Sequence, residues 1–281
     1  MSIDALGRAG APVNEHVWEA LEKTMVGAAT SQLTGRRLLD VRGPYGLGLK
    51  SVALPDEDTG DGLIVSDTLP LALIQRSFTL SARDLAAYEH ESTSLDLAPL
   101  AEAAIEVARR EDEVVFAGTK RAPGLTTIEG VASVPLPAWD ALGSAVGTVI
   151  AAATRLDENG FHGPYALAVS PARYNLLLRR LETGVVSELD TLREIATDGV
   201  FKAPILDDAG VLIAVGAQFA HIVVGQDMSL GFVGPTADGR LEFTISESLA
   251  VRVLERGAVC VIGKPAGGAA QADGSRRRRQ A

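Results

Sequence analysis

The chain has 281 residues, room for one large core or two modest ones, and its 47% hydrophobic and 22% charged residues are ordinary for a soluble globular protein. No apolar run reaches the length of about 18 residues that a membrane span needs, the opening MSIDALGRAG lacks the apolar core of a signal peptide, and with Cys260 as the one cysteine no disulfide forms within the chain, so the expected compartment is the cytoplasm. The net charge of −10 is unevenly spread: the stretch from Lys264 to Ala281 is net +4, through Lys264, Arg276, Arg277, Arg278 and Arg279 against Asp273, which leaves −14 on the rest and makes it a poor binder of nucleic acid.

In chain order, Asn14 reads as the N-cap of a helix to about Leu33, with Val17, Leu21, Met25, Ala28, Ala29 and Leu33 on one stripe and Gly35 as its stop. LLDV reads as a strand. GPYGLGLKS (43–51) comes close to a phosphate-binding loop, G-x-x-x-x-G-K-[ST], but Leu49 separates Gly48 from Lys50. That loop also needs a helix directly after it, whereas KSVALPDED reads as a short strand and an acidic turn. Two turns around Pro44 and Gly46 explain the glycines. LGLKSVAL (47–54) and LIVSDTLPLALIQRSFTL (63–80) then look extended, joined by the polar PDEDTGDG. Such a ribbon is marginal alone in water, and eight residues of strand reach about 26 Å, so it needs a surface, for which a second copy of the chain is a candidate.

Ser81 and Asp84 predict a capped helix through Glu91, and Asp96 caps a longer one to about Phe116, on which REDE (110–113) is expected to be the wet side. A third helix spans about 138–158. GPYALAVSP reads as turn, strand and a Ser170-capped helix with Pro171 at its first position, running to near Gly184. After a loop and short helix in VVSELDTLREI, the pattern turns to strands: FKAPIL, VLIAVG, HIVVG, MSLGFVG and RLEFTISESLAVRVLERGAVCVIG. The order suits an α+β protein rather than an alternating βαβ one.

Chemistry-bearing constellations are scarce. His16, His90, His162 and His221 have no zinc-type spacing, so no metal is expected. Ser170 precedes proline, no G-x-S-x-G occurs, and Cys260 in AVCVIG reads as an inert buried thiol. GQDMSLG (225–231) has one carboxylate and reads as a turn. Glu182, Glu188 and Asp190 fall in a glycine-containing loop, which repeated about a symmetry axis would form an acidic ring able to filter cations. The tail PAGGAAQADGSRRRRQA reads as disordered, its arginines either solvated or touching an acidic surface.

Several stretches in order carry a family resemblance: LTGRRLLDVRGPYG (33–46), FTLSARDL (78–85), EDEVVFAGTKRAPGLTTIEG (111–130), GPYALAVSP (163–171), GQDMSLGF (225–232) and FTISESLAVRV (243–253). Together the chain resembles the encapsulins, shell proteins of prokaryotic nanocompartments with the HK97-type fold of tailed-phage capsid subunits. The resemblance implies a lead-in with the N-terminal helix (1–46), an E-loop arm (47–80), a P-domain with its spine helix (81–124), mainly A-domain from 125 to 224, strands returning to the P-domain and E-loop base (225–263) and the tail (264–281). GPYG becomes a bend into the E-loop. The implied function is mechanical and non-enzymatic: copies close into an icosahedral shell around a cargo protein, a ferritin-like iron-storage protein or dye-decolorising peroxidase, held by a targeting peptide on the inner wall. By position, Arg36 and Asp40 match family residues at that wall, with Leu33, Leu39, Met228 and Leu230 as the expected apolar groove; the bland alternative has Arg36 and Asp40 pairing with each other. Glu182, Thr183, Gly184, Glu188 and Asp190 would line the five-fold pore. Where some members bind flavin through an aromatic residue this chain has Arg83, so no cofactor is expected. Two other readings stay open: a phage or prophage capsid protein packaging nucleic acid, against which the acidic body counts, and a free enzyme, for which no nucleophile–base pair exists.

Overall fold

The computed structural model describes residues 4–91, 94–180 and 186–263, which divide into two compact units, one of residues up to 122 with 216–253, the other of 123–215 with the residues from 254 onward. In chain order the first unit opens with helix α1 (Glu15–Thr30), α2 (Gly35–Leu38), strands β1 (Asp40–Arg42), β2 (Ser51–Ala53), β3 (Glu57–Asp58), β4 (Ile64–Val65), β5 (Thr68–Pro70) and β6 (Ala72–Ser81), then helices α3 (Ala82–Glu91) and α4 (Ala98–Phe116). The second unit supplies β7 (Ala132–Val134), α5 (Ser144–Glu158), β8 (Tyr165–Val169), α6 (Pro171–Leu176), α7 (Glu188–Ile195), β9 (Gly199–Lys202) and β10 (Gly210–Ala214). The chain returns to the first unit for β11 (Ala220–Val224), β12 (Ser229–Pro235) and the long β13 (Arg240–Val253), and ends in the second with β14 (Val259–Ile262).

The first unit is an α/β layer built on β13. On one edge β13 pairs antiparallel with β11 and then β12; on the other it pairs with β6 over ten residues, from Ala72↔Leu249 to Ser81↔Arg240. One face of this sheet takes the apolar stripes of α1 and α4. Val17, Trp18, Leu21 and Met25 meet Leu100, Ala104 and Val107, with Phe78, Leu230 and Phe243 beneath. Phe243 is the hub of an aromatic cluster, stacked on Phe78 at 5.7 Å and edge-on to Trp18 at 5.8 Å. Asn14 caps α1 as expected, its side chain accepting from the Val17 N–H at 3.0 Å. The helix stops at Thr30, not Leu33, and Gly35 begins α2 instead of ending α1.

The GPYG stretch is a bend fastened to the end of β11. The Tyr45 N–H donates to the Val224 carbonyl at 3.1 Å and the Gly46 N–H to the Gly225 carbonyl at 2.6 Å, so these amides are committed to backbone and are not turned toward a phosphate. From there the arm departs. β2 pairs with β5 near its root and β3 with β4 farther out, and every residue from 55 to 68 is exposed. Leu63, Ile64 and Val65 show 57%, 64% and 45% of their surface. The last stretch of the expected arm does not belong to it: residues 72–80 are held in the sheet by β13. The arm is residues 47–71.

The second unit has a sheet of order β7-β14-β10-β8-β9. β8, β10 and β14 are buried along their whole length, and α5 lays Ala145, Val149, Ala152 and Leu156 inward. The units divide at 123–215 rather than 125–224, and β14 lies in the second unit instead of returning to the first. VCVI is apolar on both faces, which only an interior strand position accommodates, and it finds one between β7 and β10. α5 starts at Ser144, not 138, because Gly143 before it takes φ 84°, outside the helical region. α6 ends at Leu176, short of the expected Gly184, and Ser170 at its start makes no side-chain cap bond. Cys260 is buried in β14 and burial pushes its thiol up to about 11, as an inert thiol requires.

Gly43 has φ 120°, and a Cβ there would lie 2.3 Å from the Val224 carbonyl oxygen. Gly43→Ala is therefore expected to cost about 1–3 kcal/mol in chemical unfolding, whereas Gly48→Ala, which has open space around it, stays within about 0.5 kcal/mol of the parent.

Candidate functional site

Arg36 sits where four segments of the first unit converge. Its Nε donates to Glu111 of α4 at 2.8 Å, and its terminal nitrogen to Asp227, in the loop before β12, at 3.0 Å and to Glu247 of β13. Glu111 and Glu247 are fully buried. Next to them Asp112, also buried, accepts the Thr34 N–H on both oxygens at 3.1 Å and the Gly35 N–H at 2.8 Å. It thereby satisfies the free amides at the start of α2. Gly35 is required at this contact, since a Cβ would lie 2.8 Å from Val115. One arginine and four carboxylates thus lock α2, and with it the lead-in to the arm, onto α4 and β13.

The protonation of this cluster follows from burial. For Arg36 desolvation alone would lower the pKa, but the hydrogen bond to Glu111 and the charges of Glu111, Glu247 and Asp227 outweigh it and raise it. Glu247 is pushed up to about 9, first by burial, then by the Glu111 charge, with Arg36 pulling the other way. Asp112 is pushed up to about 6 by burial, partly offset by the Gly35 and Thr34 amides. Two buried glutamates share one guanidinium, and one oxygen of each, Oε2, lacks a hydrogen-bond donor. Burial beside the Glu111 charge favours the neutral form of Glu247.

REDE is therefore not the wet side of its helix. Glu111 and Asp112 continue the buried stripe of Leu100, Ala104, Ala108 and Val115, and that three-and-four spacing was the signal available in the sequence. Nothing in the sequence pairs them with Arg36 or Glu247. Arg36 does not pair with Asp40: Asp40 is exposed on β1, opposite His221 in the adjacent strand. Of the expected apolar groove, Leu39 and Leu230 are core residues at 5% and 1% exposure, a correction that follows from their inward places beside α2 and on β12. Leu33 and Met228 are half-buried. The Arg36–Asp227 pair draws the segment carrying Leu33 and the loop carrying Met228 together.

Of the expected pore residues, Glu182, Thr183 and Gly184 lie outside the described residues, as does the tail from Lys264. Glu188 is buried and paired with Arg179 at 3.1 Å, so its charge is not offered to a lumen. Asp190 is exposed and forms a capping box with Ser187 at the start of α7, and these hydrogen bonds hold its pKa below the usual value. Among the described residues no group of histidine, cysteine and carboxylate side chains could hold a metal ion, and no helix is long and apolar enough to cross a membrane.

A long spine helix on a sheet, a second α/β unit and a projecting arm define a capsid-type shell subunit. The virus-like particle of Pyrococcus furiosus shares the fold with TM-score 0.73 and 22% identity over 89% of this chain and 100% of that one, and the capsid protein of Myoviridae phage XM1 shares it at 0.57 and 14% over 80% and 89%. The model of the family described as encapsulating protein for peroxidase matches residues 3–250. A type 1 encapsulin shell protein of Myxococcus xanthus is 32% identical over 280 residues, 92% of this chain and 96% of that protein. A diheme-cytochrome–encapsulin shell fusion protein of Kuenenia stuttgartiensis is 28% identical over 267 residues, 89% and 73%. The chain belongs to the encapsulin family. It is a nanocompartment shell protein and not an enzyme.

Removing the cation strands the buried acids, so Arg36→Met is expected to lower unfolding stability by about 3–5 kcal/mol. Glu247 titrates higher when folded (about 9) than its ordinary 4.5, so its contribution is complete below the lower value and is lost as pH rises toward the higher. The melting temperature should fall between pH 5 and pH 9, and Glu247→Gln should flatten that fall.

Proposed function

We propose that this protein closes into an icosahedral shell in the cytoplasm and encloses a ferritin-like protein or a peroxidase, captured by a short targeting peptide on the inner wall. The observation that carries the reading is the arm. Fourteen consecutive residues, 55–68, lie wholly exposed, and a single copy gives its apolar triplet Leu63, Ile64 and Val65 nothing to rest on. The peroxidase-encapsulating description of the matching family and the cytochrome fused to one relative's shell support a redox-active cargo. The −14 charge of the body supports a protein cargo over nucleic acid.

For the peptide, the residues left accessible at the expected wall are Leu33, Met228 and Asp40, with Arg36 behind them as the group that fixes their spacing. A short extended peptide gains chiefly by burying a few apolar side chains, each contributing roughly 1.5–3 kcal/mol when fully covered. Leu33 and Met228 suit that, and Asp40 suits a basic side chain on the peptide. Asp190 remains the described acid best placed to line a pore, with Glu182, Thr183 and Gly184 as its proposed companions.

Negative-stain images of the purified chain should show closed particles of one size, and deletion of residues 55–67 should leave folded but dispersed subunits. Leu33→Asp combined with Asp40→Lys should leave particles intact while cargo that co-purifies falls about tenfold, the loss of one apolar anchor. Normal loading of that variant would rule out this wall as the docking site.

A further inference from the structure

Three basic side chains gather on one face of the first unit's sheet. In the register of β1, β11 and β13, Asp40, His221 and Arg252 form one cross-strand row, and Arg42, Val223 and Ala250 form the next. Residues paired across strands, and residues two apart along a strand, point to the same face. Arg42 and Arg252 stand two strand spacings apart, about 10 Å, with His221 on the strand between them. Both guanidinium groups are near enough to act on the imidazole. Burial first, then the charges of Arg42 and Arg252, hold His221 below its ordinary pKa, with the Ala217 carbonyl and Asp40 opposing them.

This group lacks an acceptor. The Arg252 Nε is buried and has no hydrogen-bond partner among the described residues, an arrangement that is costly for a donor withdrawn from water. Neither Arg42 nor Arg252 forms an ion pair there, whereas the partly buried Arg36, Arg173 and Arg179 each meet a carboxylate. His221 is buried, and its Nδ1 donates to the Ala217 carbonyl at 2.9 Å, which leaves Nε2 for a second partner. Asp40, the one acid of the two rows, is exposed and bonded to neither arginine. Behind the group Ala250 is covered by Leu69 and Ala122, so that side is walled by apolar residues.

We propose that Arg42, Arg252 and His221 form a binding site for a small oxyanion of the phosphate class. Two guanidinium forks match the oxygens of such an ion, and they give the Arg252 Nε the acceptor it lacks. With His221 neutral the group carries two positive charges against one from Asp40, too little for a dianion. A bound dianion favours the imidazolium, whose Nε2–H is then a third donor, since Nδ1 is committed to Ala217. Anion and proton therefore bind together. The −14 charge of the body repels polyanions, which selects a small ion over nucleic acid. All the residues belong to one copy, so the site is independent of the shell reading.

Equilibrium dialysis of the full-length chain against radiolabelled inorganic phosphate, at neutral pH and low salt, should show one saturable site per chain. Arg42→Gln, at an exposed position, should weaken binding about tenfold. Arg252→Lys, which keeps the charge but removes Nε and the fork, should weaken it at least about threefold. Lys120→Gln with Arg121→Gln, in the turn closed by Ala122 and outside both rows, should change it less than about twofold. Circular dichroism checks that each variant folds. Acetate should not displace phosphate. Competition by methyl phosphate would mark a site open to phosphate esters, and competition by inorganic phosphate alone a closed one; either result keeps the class. The proton is read with sulfate, which stays doubly charged: its affinity for the parent should fall about tenfold from pH 5.5 to pH 8 and stay level in His221→Gln. No saturable binding to the folded parent overturns the proposal, and so do displacement by acetate, an equal loss in the Lys120 and Arg121 variant, or a sulfate affinity that ignores pH.

Discussion

A two-stranded ribbon has two faces and one neighbouring strand, so it cannot build a core, and whatever apolar side chains it carries must be covered by something else. The arm at residues 47–71 is such a ribbon, with only three paired positions at β2–β5 and two at β3–β4. Short ladders of this kind do not persist in water unaided. The rest of the first unit reads as the means of holding that ribbon out. Its second strand continues directly into β6, which is clamped to β13 over ten residues, and its first strand emerges from a bend bonded to Val224 and Gly225. The arm is thus anchored at both strands, and its direction is set by the sheet.

The same logic accounts for the buried charges. α2 is a single turn between the N-terminal helix and the arm, too short to be stable by propensity. Its position comes from Asp112 on its amides and from Arg36 reaching Glu111 and Glu247. A buried ion cluster adds little net stability compared with apolar packing, but its geometry admits few alternatives. Here it fixes how one turn of helix meets a spine helix and a central strand, and so where the chain enters the arm. The extra acid is tolerable because burial and the Glu111 charge favour the neutral form of Glu247.

Much of the first unit was legible in the sequence because it obeys local rules. The Asn14 cap, the stripe from Val17 to Ala29, the Ser81 start and the Gly118 stop each act within a few residues. The failures have common causes. Residues 72–80 look continuous with the arm because strand pattern does not say which partner a strand takes, and β13 lies more than 150 residues away. The same ambiguity applies to β14, which follows β13 in sequence but pairs with β7 and β10 of the second unit. Glu111 and Asp112 look solvated because acids usually are, yet their spacing from Ala104, Ala108 and Val115 places them on the buried side. Leu39 and Leu230 suit a groove in sequence because an apolar residue does not declare whether its own core has already claimed it.

Charge sets the remaining terms. Every copy carries −10, so gathering many copies brings like charges together, and their repulsion extends over the screening length rather than over a bond. Contacts that hold such an assembly must be short-ranged and dense enough to exceed that repulsion. Apolar burial meets the condition, and so does pairing of charges that would otherwise add to the repulsion. Leu63, Ile64 and Val65, exposed on an arm that bears Asp56, Glu57, Asp58 and Asp61, are apolar surface that can supply such a contact.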